Sequence, residues 1–428
     1  MIANQSSTLI ADRVDETQDE PAERQMFQLT DLGDNHNKFY MVEIWPVQGD
    51  TVRFRVTWGR VGSKPQVREK VVSRYEVESQ VREKLRKGYR KVDLHRPEVE
   101  IIEKEDVEPV PPPDPKVAQL VEWIFTEAGE HIQSFLAVEV EALSQAQIAE
   151  GRRLLIEAQK QHTAYQGSLF RRDHKLAALA STVQSYYNVI PTKLPARVDR
   201  DQVVLDFCEQ FSEQEVRLLQ LEAAIATMKV QRQHPGFDHY QALGAEIKPV
   251  SPDEKVHKSL TKYIKQGQVH GYKINVKDIF EVCIPQERAA YEENSTGISR
   301  RELLFHGTRT QNVRHILRQG LICPSTASNG RMLGNGIYLA DKSSKSANYC
   351  SASRATVPRM LLVVEAALGK CYVAPDAKPF DAPPAGYNSV WGKAGKTHIG
   401  GTYTLKNNEF VLYSPAQQTI RYIVTFDH

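Results

Sequence analysis

No stretch of the 428 residues offers the run of about 18 uncharged apolar side chains that a membrane-crossing helix needs. Residues 1–24 likewise lack the continuous apolar segment of a secretory leader, so an intracellular protein with no membrane partner is expected. Cysteine is scarce: Cys208, Cys283, Cys323, Cys350 and Cys371 are widely spread, with no CxxC pair from which to build a zinc site. Free thiols and no metal are the expectation. A phosphate-binding loop is missing too, because the lone Gly334-x-Gly336 pair has neither a P-loop lysine nor a following helix. What remains is an ordinary composition, 41% hydrophobic and 25% charged, in a chain too long for one core.

The net charge of +2 conceals a strong asymmetry. Residues 51–96 hold 14 Lys or Arg against five acids, a candidate polyanion surface. Next come residues 97–116, PEVEIIEKEDVEPVPPPDPK, whose six prolines and seven acids describe an extended, self-repelling linker. A polar, acidic tail over residues 1–24 is expected to be disordered. Between tail and linker, residues 38–45 and 53–58 alternate as antiparallel strands do, and residues 75–89 read as a basic helix. This is a small α+β module. In its WGRVG turn, an exposed Trp58 indole could stack on a sugar or base and the Arg60 guanidinium could hold a phosphate.

From residue 116 to 233 the pattern changes to the helical period, with Val117, Leu120, Val121 and Ile124 in one stripe and Ile132, Phe135, Leu136 and Val140 in another. Ser144 with Gln147 reads as a capping box, and Ser212 with Glu215 as the opening of a helix carrying Leu218, Leu221, Ile225 and Met228 on one face. An all-α bundle is predicted. Strand signals dominate after residue 236, at 301–305, 336–339, 360–368, 409–413 and 419–426, with a short helix over 311–319 stopped by Gly320. That mixture predicts an α/β domain.

Those strands carry a connected set of polar groups. Breaking a bond between a nicotinamide and a ribose passes through an oxocarbenium-like state, which calls for a carboxylate near the sugar; Glu409 is the candidate. A flat ring bearing a carboxamide needs aromatic faces, a backbone donor and acceptor, and a hydroxyl. Tyr338 and Tyr349 can sandwich it, Gly307 can offer its backbone and Ser346 its hydroxyl. The i, i+3 spacing of Ser346 and Tyr349 places both on one helical face if that segment is a helix. His306, at a strand end, can hydrogen-bond a ribose hydroxyl.

The order HGT, GIYLAD, SKSANYC and NEF resembles the His-Tyr-Glu signature of the poly(ADP-ribose) polymerase catalytic domain, of the diphtheria-toxin-like ADP-ribosyltransferase fold. WGRVG resembles the WGR nucleic-acid-binding domain, and residues 176–195 resemble part of the family's regulatory helical domain. The resemblance implies a multidomain α+β protein: tail 1–24, WGR domain 25–96, linker 97–115, regulatory helices 116–235 and transferase domain 236–428. It implies Glu409, His306 and Tyr338 as catalytic, and His306, Gly307, Thr308, Asn312, Tyr338, Lys345, Ser346 and Tyr349 as NAD+-binding. Trp58, Gly59, Arg60, Arg53 and Arg55 are implied as DNA contacts. NAD+ is a substrate in this reading, with no prosthetic group.

Against the family pattern, Arg331 stands for a Tyr, Asn335 for a Lys, Asn407 for a Tyr and Ile322 for an Arg. Thr308 replaces a Ser and keeps the hydroxyl. The implied activity is DNA-activated transfer of ADP-ribose from NAD+ to protein acceptors, the enzyme itself among them, with polymer elongation. The implied partners are DNA strand breaks and acceptor proteins, and the chain is expected to act as a monomer. The location would be nuclear in a eukaryote and cytoplasmic or nucleoid in a bacterium. Mono-ADP-ribosylation and a catalytically silent DNA-end scaffold are the alternatives.

Overall fold

Period-two alternation builds the N-terminal unit. In the computed structural model, which describes residues 21–427 apart from 33, 35, 62, 93–113, 169, 195–198, 234–237, 327–330 and 400–402, this unit holds β1 (Glu23–Asp31), β2 (His36–Gln48), β3 (Thr51–Arg60), β4 (Gln66–Ser73), α1 (Arg74–Arg86) and β5 (Arg90–Val92). The strands form one sheet in the order β4-β3-β2-β1-β5. Val52, Phe54 and Val56 of β3 point inward with Val42 and Ile44 of β2, and Val77 of α1 closes over them. Ser73 caps α1, its hydroxyl accepting from the Glu76 N–H at 3.3 Å. The tail expected over residues 1–24 lies outside the described residues up to residue 20, but β1 begins inside it. Glu23 pairs with Arg74, and Arg24 donates to Glu43 at 2.6 and 2.9 Å, so charges expected in a solvated tail are fixed to the sheet. Most of the expected linker also lies outside the described residues.

The second unit, formed mainly by residues 95–428, begins with five helices: α2 (Pro115–Phe135), α3 (Gln145–Gln166), α4 (Arg172–Val189), α5 (Arg200–Glu209) and α6 (Phe211–Gln233). Tyr186 and Tyr187 of α4 meet Phe207 of α5 edge-on inside their shared core. Gly151 is required for this packing, since a Cβ there would lie 2.9 Å from the Ile190 side chain. The predicted capping box on α3 is present, with Ser144 N–H to Gln147 Oε1 at 2.9 Å and Gln147 N–H to Ser144 Oγ at 3.2 Å. The helix expected to open at Ser212 and Glu215 begins at Phe211, and the Glu215 carboxylate is engaged by Ser325 and Thr326. α2 serves two cores: Val117, Leu120, Val121 and Ile124 pack on the C-terminal strands, Ile132 and Phe135 among the helices.

Then follow α7 (His239–Leu243), β6 (Glu246–Pro249), α8 (Lys255–Gln266), β7 (Asn275–Cys283), α9 (Pro285–Asn294), β8 (Arg301–Gly307), α10 (Val313–Gln319), β9 (Ile337–Leu339), α11 (Ser343–Ala347), β10 (Arg359–Ala367), β11 (Cys371–Val373), β12 (Ser389–Gly392), β13 (His398–Ile399), β14 (Tyr403–Thr404), β15 (Glu409–Leu412) and β16 (Gln418–Asp427). They make two main sheets, β6-β7-β16-β10-β8 and β11-β12-β15-β9. Strand β10, nearly all apolar, lies between β16 and β8 with both faces buried. Each such buried Leu or Val contributes about 1.5–3 kcal/mol. Edge strands β8 and β9 are stitched together by reciprocal hydrogen bonds between Phe305 and Ala340, at 2.8 and 3.0 Å. No helix among the described residues is long and apolar enough to cross a membrane.

Candidate active site

The Phe305–Ala340 stitch brings one polar residue from each sheet edge to the same place. His306 follows Phe305, and its Nδ1 donates to the Tyr338 carbonyl at 3.0 Å, which leaves Nε2 as an acceptor. Burial lowers the His306 pKa, the carbonyl contact opposing it, so the ring is neutral. Tyr338 is held in turn: its hydroxyl donates to Gly334 O and accepts from Leu333 N–H, both at 2.9 Å. Burial pushes that phenol well above its ordinary pKa.

β15 pairs with β9, setting Glu409 one residue before the Phe410–Leu339 pair. Glu409 is only 8% exposed. Lys345 of α11 donates to its Oε1, while Oε2 is buried without a partner. An unmet buried carboxylate oxygen is an acceptor waiting for a hydroxyl. Asn408, which the sequence pattern does not single out, braces this strand end. It donates to Asp341 at 2.8 Å and accepts from the Trp391 ring N–H and the Ala394 N–H at 3.1 and 3.0 Å.

Gly307 lies so close to α11 that a Cβ would fall 1.7 Å from the Ser346 carbonyl oxygen. Ser346 is buried, its hydroxyl donating to Phe305 O at 3.0 Å. The expected pairing of Ser346 and Tyr349 runs past the helix end. α11 stops at Ala347, and Tyr349 sits in the turn beyond it with its N–H on Ser346 O. This i, i+3 bond keeps both residues on one side, with Tyr349 64% exposed. Its phenol pKa is raised by partial burial and further by the charge of Glu409, which places the ring on the Glu409 side.

On the opposite flank, helix α6 reaches the predicted adenosine side. Asn312 donates to Thr308 Oγ1 at 3.1 Å and accepts from Gln220 at 2.9 Å. Arg309 pairs with Glu213 at 3.2 Å. Glu215 accepts four hydrogen bonds from the backbone and hydroxyls of Ser325 and Thr326 at 2.5–3.2 Å. Glu127 of α2 takes three more from Ser353 and Arg354 at 2.7–3.2 Å. Nothing in the helical period distinguishes these acids from a solvated face. Arg331 donates to Thr326 O at 2.8 Å, and burial lowers its pKa.

In the N-terminal unit the Trp58 indole is not exposed as expected. Trp58 shares the inward parity of Val52, Phe54 and Val56 and packs on the sheet core. Arg55 pairs with Glu69 at 2.7 Å and Arg53 with the same carboxylate at 3.9 Å. Both guanidiniums lie over the Trp45 ring, at 4.3 and 5.0 Å. Their charge is therefore partly committed within the sheet. Gly59 faces open backbone contacts that a Cβ would tolerate, so its role there is not steric.

Residues 254–428 match the model of the poly(ADP-ribose) polymerase catalytic domain, and residues 23–95 match that of the WGR domain. The two segments thus resemble the catalytic and WGR domains of poly(ADP-ribose) polymerases. Among similar proteins, "Poly [ADP-ribose] polymerase 2" of Homo sapiens is 34% identical over 237 residues, covering 48% of this chain and 40% of the relative. "Poly [ADP-ribose] polymerase 1" of Gallus gallus is 32% identical over 238 residues, covering 48% and 23%. "Protein mono-ADP-ribosyltransferase PARP4" of Mus musculus is 27% identical over 323 residues, covering 73% and 15%. The match thus spans less than half the length of each of these relatives. Among the described residues, no group of three or more His, Cys, Asp or Glu is placed to hold a metal ion.

Proposed function

We propose that this chain is a DNA-activated ADP-ribosyltransferase that cleaves NAD+ and passes ADP-ribose to protein side chains, itself included, elongating the product into polymer. The observation that carries the reading is Glu409, with one oxygen held by Lys345 and the other buried and unpartnered. Oε2 accepts from a ribose hydroxyl, and the carboxylate charge favours the cation that develops as the ribose–nicotinamide bond breaks. The bonding pair stays with the ring nitrogen, so nicotinamide leaves neutral. The oxygen of an acceptor then bonds to the same ribose carbon, and where that acceptor is a hydroxyl its proton passes to the Glu409 carboxylate. His306 Nε2 accepts from a hydroxyl of the other ribose, while Gly307 and Ser346 receive the carboxamide and Tyr338 and Tyr349 flank the ring. Thr308 and Asn312 serve the adenosine side.

In this reading residues 236–428 have the diphtheria-toxin-like transferase fold and the helices over 116–235 are its regulatory domain. DNA strand breaks engage the basic face of residues 25–96 through Arg60, with Arg53, Arg55, Trp58 and Gly59 shaping the surface. The helices then loosen, and NAD+ enters. The protein acts as a monomer and, in a eukaryote, in the nucleus. The test is nicotinamide release by the full chain with and without a nicked or blunt duplex. Release chiefly with DNA supports the reading, and none in either arm sinks it.

A mono-ADP-ribosyltransferase is the second reading, favoured by Asn335 and Asn407 in place of the Lys and Tyr. A relative whose name states that activity also aligns with 73% of this chain. A product ladder on a gel separates it from polymer formation. A silent DNA-end scaffold is disfavoured by the intact Glu409–Lys345 pair.

A further inference from the structure

Arg314 of α10 is only 9% exposed, yet its guanidinium makes no hydrogen bond or ion pair with any described residue, and its Nε is buried without a partner. Buried arginines are almost always matched by a carboxylate or another acceptor, because an uncompensated charge in a low-dielectric setting is costly. Its one described contact is the ring of Phe125, which it overlies at 4.3 Å. His239 stacks on that ring at 4.1 Å with 10° between planes. The Phe125 ring is thus in contact with both the imidazole and the guanidinium. Arg318, one turn further on, adds a second positive charge and donates to Ala242 O at 3.1 Å.

Arg314, Phe125 and His239, without Arg318, line a cavity of about 320 Å³, walled also by Thr126, Gln231 and Met228. Glu122 reaches its rim, but that residue is exposed and its carboxylate accepts from Gln119. Burial, and after it the Arg314 charge, depress the His239 pKa, with the neighbouring Asp238 carboxylate opposing them.

We propose that this cavity is a binding site for the phosphate group of a small ligand, with Arg314 as its principal donor. A guanidinium presents a planar fork that grips an oxyanion through two parallel bonds. Thr126, Gln231 and His239 bring further donors, more than a carboxylate's two oxygens can use and well matched to a phosphate. Phe125 and Met228 supply an apolar wall for whatever carries the phosphate. The site is separate from the pocket around Glu409 and stands independently of the transferase reading.

The test uses the full chain and inorganic phosphate as probe, followed by ³¹P line broadening and by thermal unfolding, with acetate and chloride at matched ionic strength as control anions. The phosphate signal is expected to broaden, phosphate is expected to raise Tm more than either control anion does, and Arg314→Gln should weaken its binding about tenfold or more. Without any anion, Arg314→Gln is expected to unfold at a higher temperature than the wild type, because it removes the uncompensated charge. Thr126→Val, on the facing wall, should weaken phosphate several-fold and remains informative if Arg314→Gln does not fold. Equal phosphate binding by wild type and variants, or none by the wild type, overturns the proposal. Acetate binding as tightly as phosphate overturns the ligand class.

Discussion

Removing the carboxylate of Glu215 is expected to raise activity in the absence of DNA. Glu215 belongs to α6, and its two oxygens accept from the N–H and hydroxyl of Ser325 at 2.6 and 2.5 Å and of Thr326 at 3.2 and 2.6 Å. Ser325 is exposed, so water replaces its two bonds when the carboxylate goes. Thr326 is fully buried, and its donors lose a charged acceptor with no substitute. Charged hydrogen bonds contribute about 1.5–3 kcal/mol each. With only the Thr326 pair counted and some relaxation allowed, Glu215→Ala weakens the hold of α6 by about 2–4 kcal/mol. That shifts a closed-to-open equilibrium about 30-fold to a thousandfold, an upper bound because the rate saturates once the open form dominates. The assay is the initial rate of nicotinamide release by the full chain, with and without duplex. Glu222→Ala is the control: Glu222 sits on the same helix but pairs with Arg152 at 2.8 Å, away from this loop. A folded Glu215→Ala protein whose DNA-free rate equals that of the wild type refutes the idea that α6 restrains the site through this contact.

Glu409→Gln should cut nicotinamide release about 100-fold or more and eliminate polymer, with the KM for NAD+ little changed; an unaltered rate removes Glu409 from the chemistry. Arg60→Ala should lower the slope of log affinity against log salt for a blunt duplex by about 0.9, the release of one phosphate contact, whereas an identical slope means that Arg60 meets no phosphate. His315 is buried, its Nδ1 has no partner, and burial holds its pKa at about 4 against an ordinary 6.5. The unfolded chain therefore takes up a proton that the folded one refuses: stability is whole above about pH 6.5 and falls until the folded-state pKa near 4. At pH 5 the loss from this residue is roughly 2 kcal/mol, and His315→Gln should flatten the urea-unfolding profile between pH 7 and pH 5 by about that amount. A variant with the wild-type pH slope would show that His315 is hydrated in the fold.

What the sequence discloses depends on how far apart the interacting residues lie. The alternation in β3 and the Ser144–Gln147 box are settled within a few residues, and both are legible from local pattern. Strand existence in the C-terminal part is legible for the same reason, although β8 runs two residues beyond its expected end because Gly307 continues the pairing with β10. The opening of α6 near Ser212 is legible, but the use of Glu215 is not, because its carboxylate is claimed by residues 110 and 111 positions away. The WGR tripeptide within its basic segment suggests an exposed Trp58, but the parity of its strand leaves the ring half-buried against the core. Arg53 and Arg55 look free in sequence until the register of β3 with β4 sets Glu69 opposite Arg55.

The same principle explains which parts of the candidate site sequence could and could not supply. His306, Tyr338 and Glu409 each stand at a position that residue type and strand context suggest. The Phe305–Ala340 stitch and the Lys345–Glu409 pair join segments that no periodicity relates. Acidic residues carry this most clearly. Glu127, Glu215 and Glu409 are buried to 8% exposure or less, and each is satisfied at least in part by a segment tens to hundreds of residues away. A buried carboxylate is tolerated only where donors converge on it. Two of the three receive several donors and act as ties between helices and loops. Glu409 receives one and keeps an oxygen unmet, and that shortfall, rather than its burial, sets it apart as the group with room for a substrate.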